Sequence, residues 1–419
     1  MKKFLLLGLM ASLILTGCAK TSADESTTES NVILTVLVGQ SSVDAGVEDI
    51  LNDFIAEKYP QVTLNWETVA WGNEFDQMLR ADFAASEVPD IIIGKAQNVS
   101  AYYKTGHLAE IDDSLSSYVK PDSLADVRVE NKIYGIPYNE DYQGVIYNKA
   151  IFRRLGLTAP TTTQELNHIV EVCTSNNVTP FAYCCQDDYS VSSNTMQFML
   201  NEIFKYDDDW GTKFRMGVTF IDTCKEAVPC FENNKYMLDH SWTDASQIEK
   251  YACDTRFATG KAAMYMTSTW VLSSIKQNSD NENFGIFPYP NVHGDADLIR
   301  ESNMTFMKSS STKNSALVDQ ILLSIMKSKE LSNEISEATQ TLSVIEGSQN
   351  SYPKALQEDI DTYVNNHRII DSIQGYNQLS WNYLSQVTAK EIEWMKGYTT
   401  LPKVLYYAEL KRPDSSNMR

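Results

Sequence analysis

The chain has 419 residues, 43% of them apolar and 11% aromatic, with a formal net charge of −20. A body of that length exceeds what one hydrophobic core usually serves, so two domains are expected. Asp and Glu outnumber Lys and Arg by 55 to 35 with no basic cluster to offset them, which excludes nucleic acid and anionic membrane surfaces as partners.

At the N-terminus, Lys2 and Lys3 precede thirteen uncharged residues, Phe4 to Thr16. A bilayer-spanning helix needs about 20 apolar residues, so this run suits the core of an export signal and not an anchor helix. It ends on Leu15-Thr16-Gly17-Cys18, which resembles the lipobox of bacterial lipoproteins. The resemblance implies that residues 1–17 are removed as a signal peptide and that the Cys18 thiol carries diacylglycerol. The mature chain would then be lipid-anchored at the extracytoplasmic face of the cell membrane, its acyl chains adding about 0.8 kcal/mol per buried methylene. Residues 18–31 read as the lipidated cysteine and its tether, because Ala19 to Ser30 are small and polar and bury nothing. A tether of this kind reaches roughly 20 Å. Loss of residues 1–17 leaves 402 residues and, with Lys2 and Lys3 gone, a formal charge of −22.

The β-branched run Val32 to Val38 predicts a strand buried on both faces. Asp44 opens a segment with Val47, Ile50, Leu51, Phe54 and Ile55 at helical spacing, closed near Pro60. Val62 to Trp66 predicts the next strand; Phe75, Met78, Leu79 and Phe83 mark another helix face; Val88 to Gly94 gives a third strand. Strands alternating with amphipathic helices predict an open parallel sheet with helices on both sides. Such sheets bind ligands beyond the carboxyl ends of their strands, here the loops Gly39 to Ser42, Glu67 to Asn73 and Gly94 to Gln97. Further on, Thr162 and Glu165 are placed to form a capping box ahead of Leu166, Ile169, Val170 and Cys173 on one helix face.

Six cysteines follow Cys18, namely Cys173, Cys184, Cys185, Cys224, Cys230 and Cys253. An even number in an exported chain permits disulfides, in any of 15 pairings, with buried free thiols the open alternative. No C-x-x-C unit or His pair suggests zinc, and the five histidines are scattered, so neither metal nor cofactor is expected. The acidic runs Asp187-Asp188 and Asp207-Asp208-Asp209 read as solvated turns, with calcium binding the alternative.

Several segments taken together carry a resemblance: ILTVLV with its helix, VPDIII, YYKTGHLAEID (Tyr102 to Asp112), YGIPYNEDYQGVIYNK, FATGKAAMYMTSTW (Phe257 to Trp270) and FGIFPYPN (Phe284 to Asn291). In order and spacing the chain resembles the family 1 extracellular solute-binding proteins of ABC transporters. This implies a two-lobed α/β fold of the periplasmic-binding-protein type, with the ligand held in a cleft between the lobes. Lobe 1 is expected from residues 32–139 plus 303–350, and lobe 2 from 142–300 plus 354–419. The crossings fall near Asn139 to Tyr142, Glu301 to Thr305 and Gly347 to Pro353. After Pro290 the sequence departs from the family's Gly-rich pattern, so the register around Asn303 is the least defined.

The resemblance further implies a non-enzymatic, monomeric receptor that captures a small-molecule carbohydrate, expected to be an oligosaccharide, and passes it to the permease subunits of an ABC transporter. Sugars are held by flat aromatic faces against their C–H side and by planar amides or carboxylates at their hydroxyls. Trp71 qualifies by its place in a strand-end loop, as does Gln97, while Gln40 and Ser41 are similar to first-loop contacts of relatives. Tyr138, Asn139, Glu140 and Tyr142 stand at the expected crossing. Trp270, read as following a family-like helix and a small polar turn, is the strongest single candidate, with Trp242 and Trp381 behind it. A binding protein for a peptide, polyamine or phosphorylated polyol is the alternative. A surface glycoside hydrolase would need two carboxyl groups about 5 to 10 Å apart, and only Glu140 is suitably placed.

Overall fold

Val32–Gly39 forms a strand whose later residues are fully buried, paired in parallel with Val62–Val69 on one side and Ile91–Gly94 on the other. The computed structural model describes residues 31–413 apart from 187, so the signal peptide, Cys18, the tether and Asp187 lie outside the described residues. Two helices connect these strands. Val47–Lys58 buries Val47, Leu51 and Ile55 on one face, and Asn73–Ala85 turns Phe75 and Leu79 into the same core. The helix expected from Asp44 is divided in two: Gly46, at φ +89°, breaks it from a short helix at Gln40–Asp44, a backbone conformation that glycine adopts without strain.

The first sheet is not wholly parallel. Its fourth strand, Thr305–Lys308, runs antiparallel to Ile91–Gly94 and also pairs with Ile136–Pro137. That strand comes back from the other lobe and so enters the sheet from the opposite end. The second sheet is built around Asn139–Asn148, buried along all ten residues. Ala262–Ser268, Phe284–Phe287, Leu298–Glu301 and Leu342–Ser343 all pair antiparallel with this long strand. Thr179–Ala182 and Ile369–Asp371 extend the sheet on its two sides through parallel pairs.

The apolar core follows the two sheets. One cluster draws on Leu34 through Tyr138 and again on Met304 through Ile345. The remaining core draws on Tyr142 through Ile299 and on Tyr352 through Ala408. The capping box of Thr162 and Glu165 forms, and its helix Thr163–Ser175 buries Leu166, Ile169, Val170 and Cys173 as its spacing predicts. All six described cysteines are free thiols. Among the described residues no helix is long and apolar enough to cross a membrane.

A buried polar network in lobe 2 fixes two helices whose first residues matter below. Glu391, on helix Trp381–Met395, accepts from Asn234 Nδ2 at 2.9 Å and from Thr195 Oγ1 at 3.2 Å, the latter on helix Tyr189–Met199. Asn234 Oδ1 in turn accepts from the Tyr183 hydroxyl at 2.9 Å. Burial pushes the Glu391 carboxyl up to about 8, against an ordinary 4.5. The folded chain therefore keeps a proton that the unfolded chain sheds. The contribution of Glu391 to stability is full below about pH 4.5 and declines as pH rises toward about 8. Glu391→Gln should remove that decline while keeping an acceptor for Asn234. Thermal unfolding of both proteins from pH 4 to 9 should show the variant gaining on the wild type as pH rises; parallel curves would contradict a buried, protonated Glu391.

Candidate functional site

Between the lobes lies a crevice walled by Trp71, Gly72, Phe75, Asp76, Lys95, Gln97 and Asn98 from lobe 1 and by Tyr189, Tyr376 and Trp381 from lobe 2. The walls stand close together: a Cβ added at Gly72 would lie 3.2 Å from Tyr189 and 3.5 Å from Trp381. The lobe 1 wall stands beyond the carboxyl ends of the strands Val62–Val69 and Ile91–Gly94, where open sheets place their ligands. The lobe 2 wall is made by residues at helix ends: Tyr189 and Trp381 each begin a helix, and Tyr376 closes the short helix Ile373–Tyr376.

Trp71 is held on three sides. Its Nε1–H donates to Ser41 Oγ at 2.9 Å, and its ring stacks on Phe75 with centroids 4.6 Å apart and planes 25° from parallel. Gly39 completes the seat, since a Cβ there would lie 2.0 Å from Cε2 of the indole. On the facing wall Trp381 meets Tyr189 at 5.4 Å and Tyr376 at 6.2 Å between ring centroids. Trp381 Nε1 is buried with no hydrogen-bond partner among the described residues.

Beneath the aromatics lies a set of charged groups where the chain crosses between lobes. Lys95 Nζ sits 2.6 Å from Glu301 Oε1 and within 6.0 Å of the Trp71 and Tyr189 ring centroids. Gln97 Nε2 donates to the same carboxylate at 2.9 Å, and Gln143 donates to its other oxygen. Asp141 stands opposite Glu301 in the strand register and accepts from Ser268 and Asn303. Burial opposes the Lys95 charge, yet Glu301 holds the ammonium well above its usual range. Burial and the neighbouring Glu301 push the Asp141 carboxyl upward, while Lys95 pulls it back. Lys95 is thus the cation that two buried carboxylates share. Asp76 is also raised, by burial first, while the Tyr102 hydroxyl donates to it at 3.1 Å and favours its charged form.

Of the residues the sequence singles out, Trp71, Gln97 and Trp381 line the crevice, and Ser41 positions Trp71. The others stand elsewhere. Gln40 is exposed and turns back to Asp44 at 2.8 Å. Tyr138 packs edge-on to Phe306 inside the lobe 1 core, and Tyr142 belongs to the core of lobe 2. Asn139 ties the crossings together, accepting from the Met304 backbone N–H at 2.9 Å and donating to Thr341 at 3.1 Å. Glu140 pairs with Lys120 at 3.1 Å. Trp242 packs under Arg256 at 5.1 Å. Trp270 also lies off the crevice: the stretch before it is the strand Ala262–Ser268 and not a helix, and the Lys250 ammonium sits 3.8 Å from its ring centroid. The physical reason is common to the crossing residues. A strand that runs through the middle of a sheet is covered on both faces, so its side chains staple the crossing and do not face a ligand.

Phe75, Asp76, Lys95, Asn98, Tyr189 and Tyr376 complete the walls without having been singled out. Lys95 lies within the strand-end loop Gly94 to Gln97 and Asn98 adjoins it, and that position was their signal. Tyr189 and Tyr376 carried none, because only the packing of distant helices brings them to the crevice. Of the acidic runs, Asp207 and Asp209 share Lys213, at 2.8 and 2.5 Å, in keeping with a solvated turn. The three carboxylates of that run could also gather around an ion, with ligand atoms within 4.8 Å of one another.

A family model described as bacterial extracellular solute-binding protein matches residues 39–322. A multiple sugar-binding protein of Streptococcus mutans is 24% identical over 303 residues, covering 69% of this chain and 70% of that protein. The melibiose/raffinose/stachyose-binding protein MelE of Bacillus subtilis is 23% identical over 242 residues, and the match spans 54% of each chain. Among solved structures, a chitin oligosaccharide binding protein superposes with a TM-score of 0.78 at 18% identity, covering 92% of this chain and all of that one. RafE in complex with raffinose superposes at 0.75 with 17% identity, covering 91% of this chain and all of that one.

Removing one member of a buried ion pair leaves the other charge uncompensated, typically at about 3 to 5 kcal/mol. Lys95→Met should therefore destabilise the fold on the order of 3 kcal/mol, whereas Lys95→Met with Glu301→Gln should recover much of the loss. Urea unfolding of the two variants beside wild type decides it; a single variant as stable as wild type would show that Lys95 does not neutralise the crossing.

Proposed function

Because the chain belongs to the bacterial extracellular solute-binding proteins, we propose that it is a lipid-anchored receptor that captures an oligosaccharide between its lobes and delivers it to an ABC permease. The observation that carries the carbohydrate reading is the composition of the crevice. Trp71, backed by Phe75, offers flat apolar surface from one wall and Trp381 an indole from the other, while Gln97, Asn98 and Asp76 offer polar groups suited to vicinal hydroxyls. Binding of this kind is apolar in area and polar in specificity. The Streptococcus mutans and Bacillus subtilis relatives are both sugar-binding proteins, which supports the same solute class.

With the walls this close there is no place between them for a pyranose ring, so capture requires the lobes to part and close again. The segments that cross between them serve as the hinge, and differential contact with ligand in the two states drives closure. Cys18 and the tether hold the receptor at the membrane, where a permease can meet it.

Thermal shift against a glycan panel tests the solute class: a sugar at 100 times its dissociation constant stabilises by about 2.7 kcal/mol. Trp71→Ala should weaken binding by roughly 2 to 4 kcal/mol, as loss of a central aromatic anchor does, and Trp270→Ala should leave affinity near wild type. Calorimetric titration measures both, and the reverse ranking would move the site to Trp270. Cys18→Ser should abolish acylation and release the protein from membranes; a Ser variant still labelled with lipid would sink the anchor.

A further inference from the structure

We propose that the two crevice tryptophans divide recognition between them: Trp71 presents ring surface, and Trp381 presents an edge-on indole N–H that donates to an acceptor oxygen of the bound sugar. This rests on the carbohydrate reading above. An indole has one donor and no acceptor capacity. In Trp71 that donor is already given to Ser41, and the Phe75 stack with the bare Gly39 backbone fixes the ring, so only its surface is on offer.

Trp381 differs in the one respect that matters. Its Nε1 is buried and unpartnered among the described residues, and it faces Gly72, where an added Cβ would stand 3.5 Å from it. Gly72 presents no side-chain acceptor, and its φ of +99° disfavours any residue that could supply one. Tilted contacts with Tyr189 and Tyr376 hold the indole in place, so it cannot swing toward another acceptor without unpacking the wall. A buried donor left without a partner loses its hydration for nothing, and such groups in native folds call for an explanation. With the lobes apart, water serves this N–H. Closing empty strips the water away, whereas closing on a sugar supplies a hydroxyl, ether or acetamido carbonyl oxygen in its place. The N–H therefore favours closure on ligand over empty closure, and it selects sugars that present an acceptor at the edge of the stacked ring.

The test replaces Trp381 with β-(3-benzothienyl)alanine, in which sulfur stands for the N–H and the ring shape is kept. Raffinose, stachyose and chitotriose are titrated calorimetrically into both proteins, and the indole region of the ¹H–¹⁵N spectrum is recorded with and without saturating sugar, the Trp381 signal being assigned by its loss in Trp381→Phe. The expected result is binding about three- to tenfold weaker for the replacement, an unliganded melting temperature equal to or above wild type, and a downfield move of the Trp381 indole proton on sugar binding while that of Trp71 stays near its bonded position. Unchanged affinity, or a Trp381 signal that does not move in the saturated complex, overturns the donor role. A wild-type protein that binds none of the three sugars overturns the carbohydrate reading itself.

Discussion

Everything about the crevice depends on how the chain crosses between lobes without leaving charge stranded. Asp141 and Glu301 face each other on the crossing strands, almost wholly out of water, and two carboxylates so placed could not both stay ionised alone. Lys95 resolves the conflict from the lobe 1 side, with Gln97 and Gln143 filling the remaining acceptor sites on Glu301. This ties the crevice-lining loop after Ile91–Gly94 to the crossing strand.

The aromatic walls are secured by a second device, independent of the first. Tyr189 and Trp381 begin helices whose bodies are joined through Thr195, Glu391 and Asn234, so their angular positions are set deep in the lobe 2 core. Trp71 is set locally, by Ser41, Phe75 and Gly39. One wall is thus rigid through long-range packing and the other through a few neighbours. A binding surface on loops and helix ends, carried by a scaffold of buried strands, lets side chains at the site change without disturbing the sheets.

The first three strands, their helices and the Thr162 capping box were legible because each signal is local: β-branched runs, apolar spacing and a side chain three residues from its partner. The loops beyond the strand ends were legible for the same reason, and they carry Trp71 and Gln97, which line the crevice. The crossing residues misled because position alone cannot separate a side chain that faces the cleft from one buried in the strand through it. Asn139 and Tyr138 have the chemistry of sugar contacts and the burial of structural groups. Trp270 misled differently: its sequence setting left room for an exposed ring, but Lys250, twenty residues earlier, reaches across to cover it. Tyr189 and Tyr376 lay beyond any local pattern, since their approach is decided by how helices from distant parts of the chain pack.

The closed arrangement also explains why affinity in such a site is a difference and not a sum. A Cβ added at Gly72 would stand 3.2 Å from Tyr189 and 3.5 Å from Trp381, and Lys95 lies 5.8 Å from the Tyr189 ring centroid, so the walls already stand close to one another. A ligand must replace those contacts before it gains any of its own, and only the surplus shifts the population toward the loaded state. Contacts that the walls can make with each other, such as aromatic packing, are partly cancelled in this comparison. Those the walls cannot make, such as an acceptor for the unpartnered Trp381 N–H, count in full. In the proposed receptor, specificity therefore rests on a few polar atoms, while the larger aromatic area sets how tightly the lobes hold whatever those atoms admit.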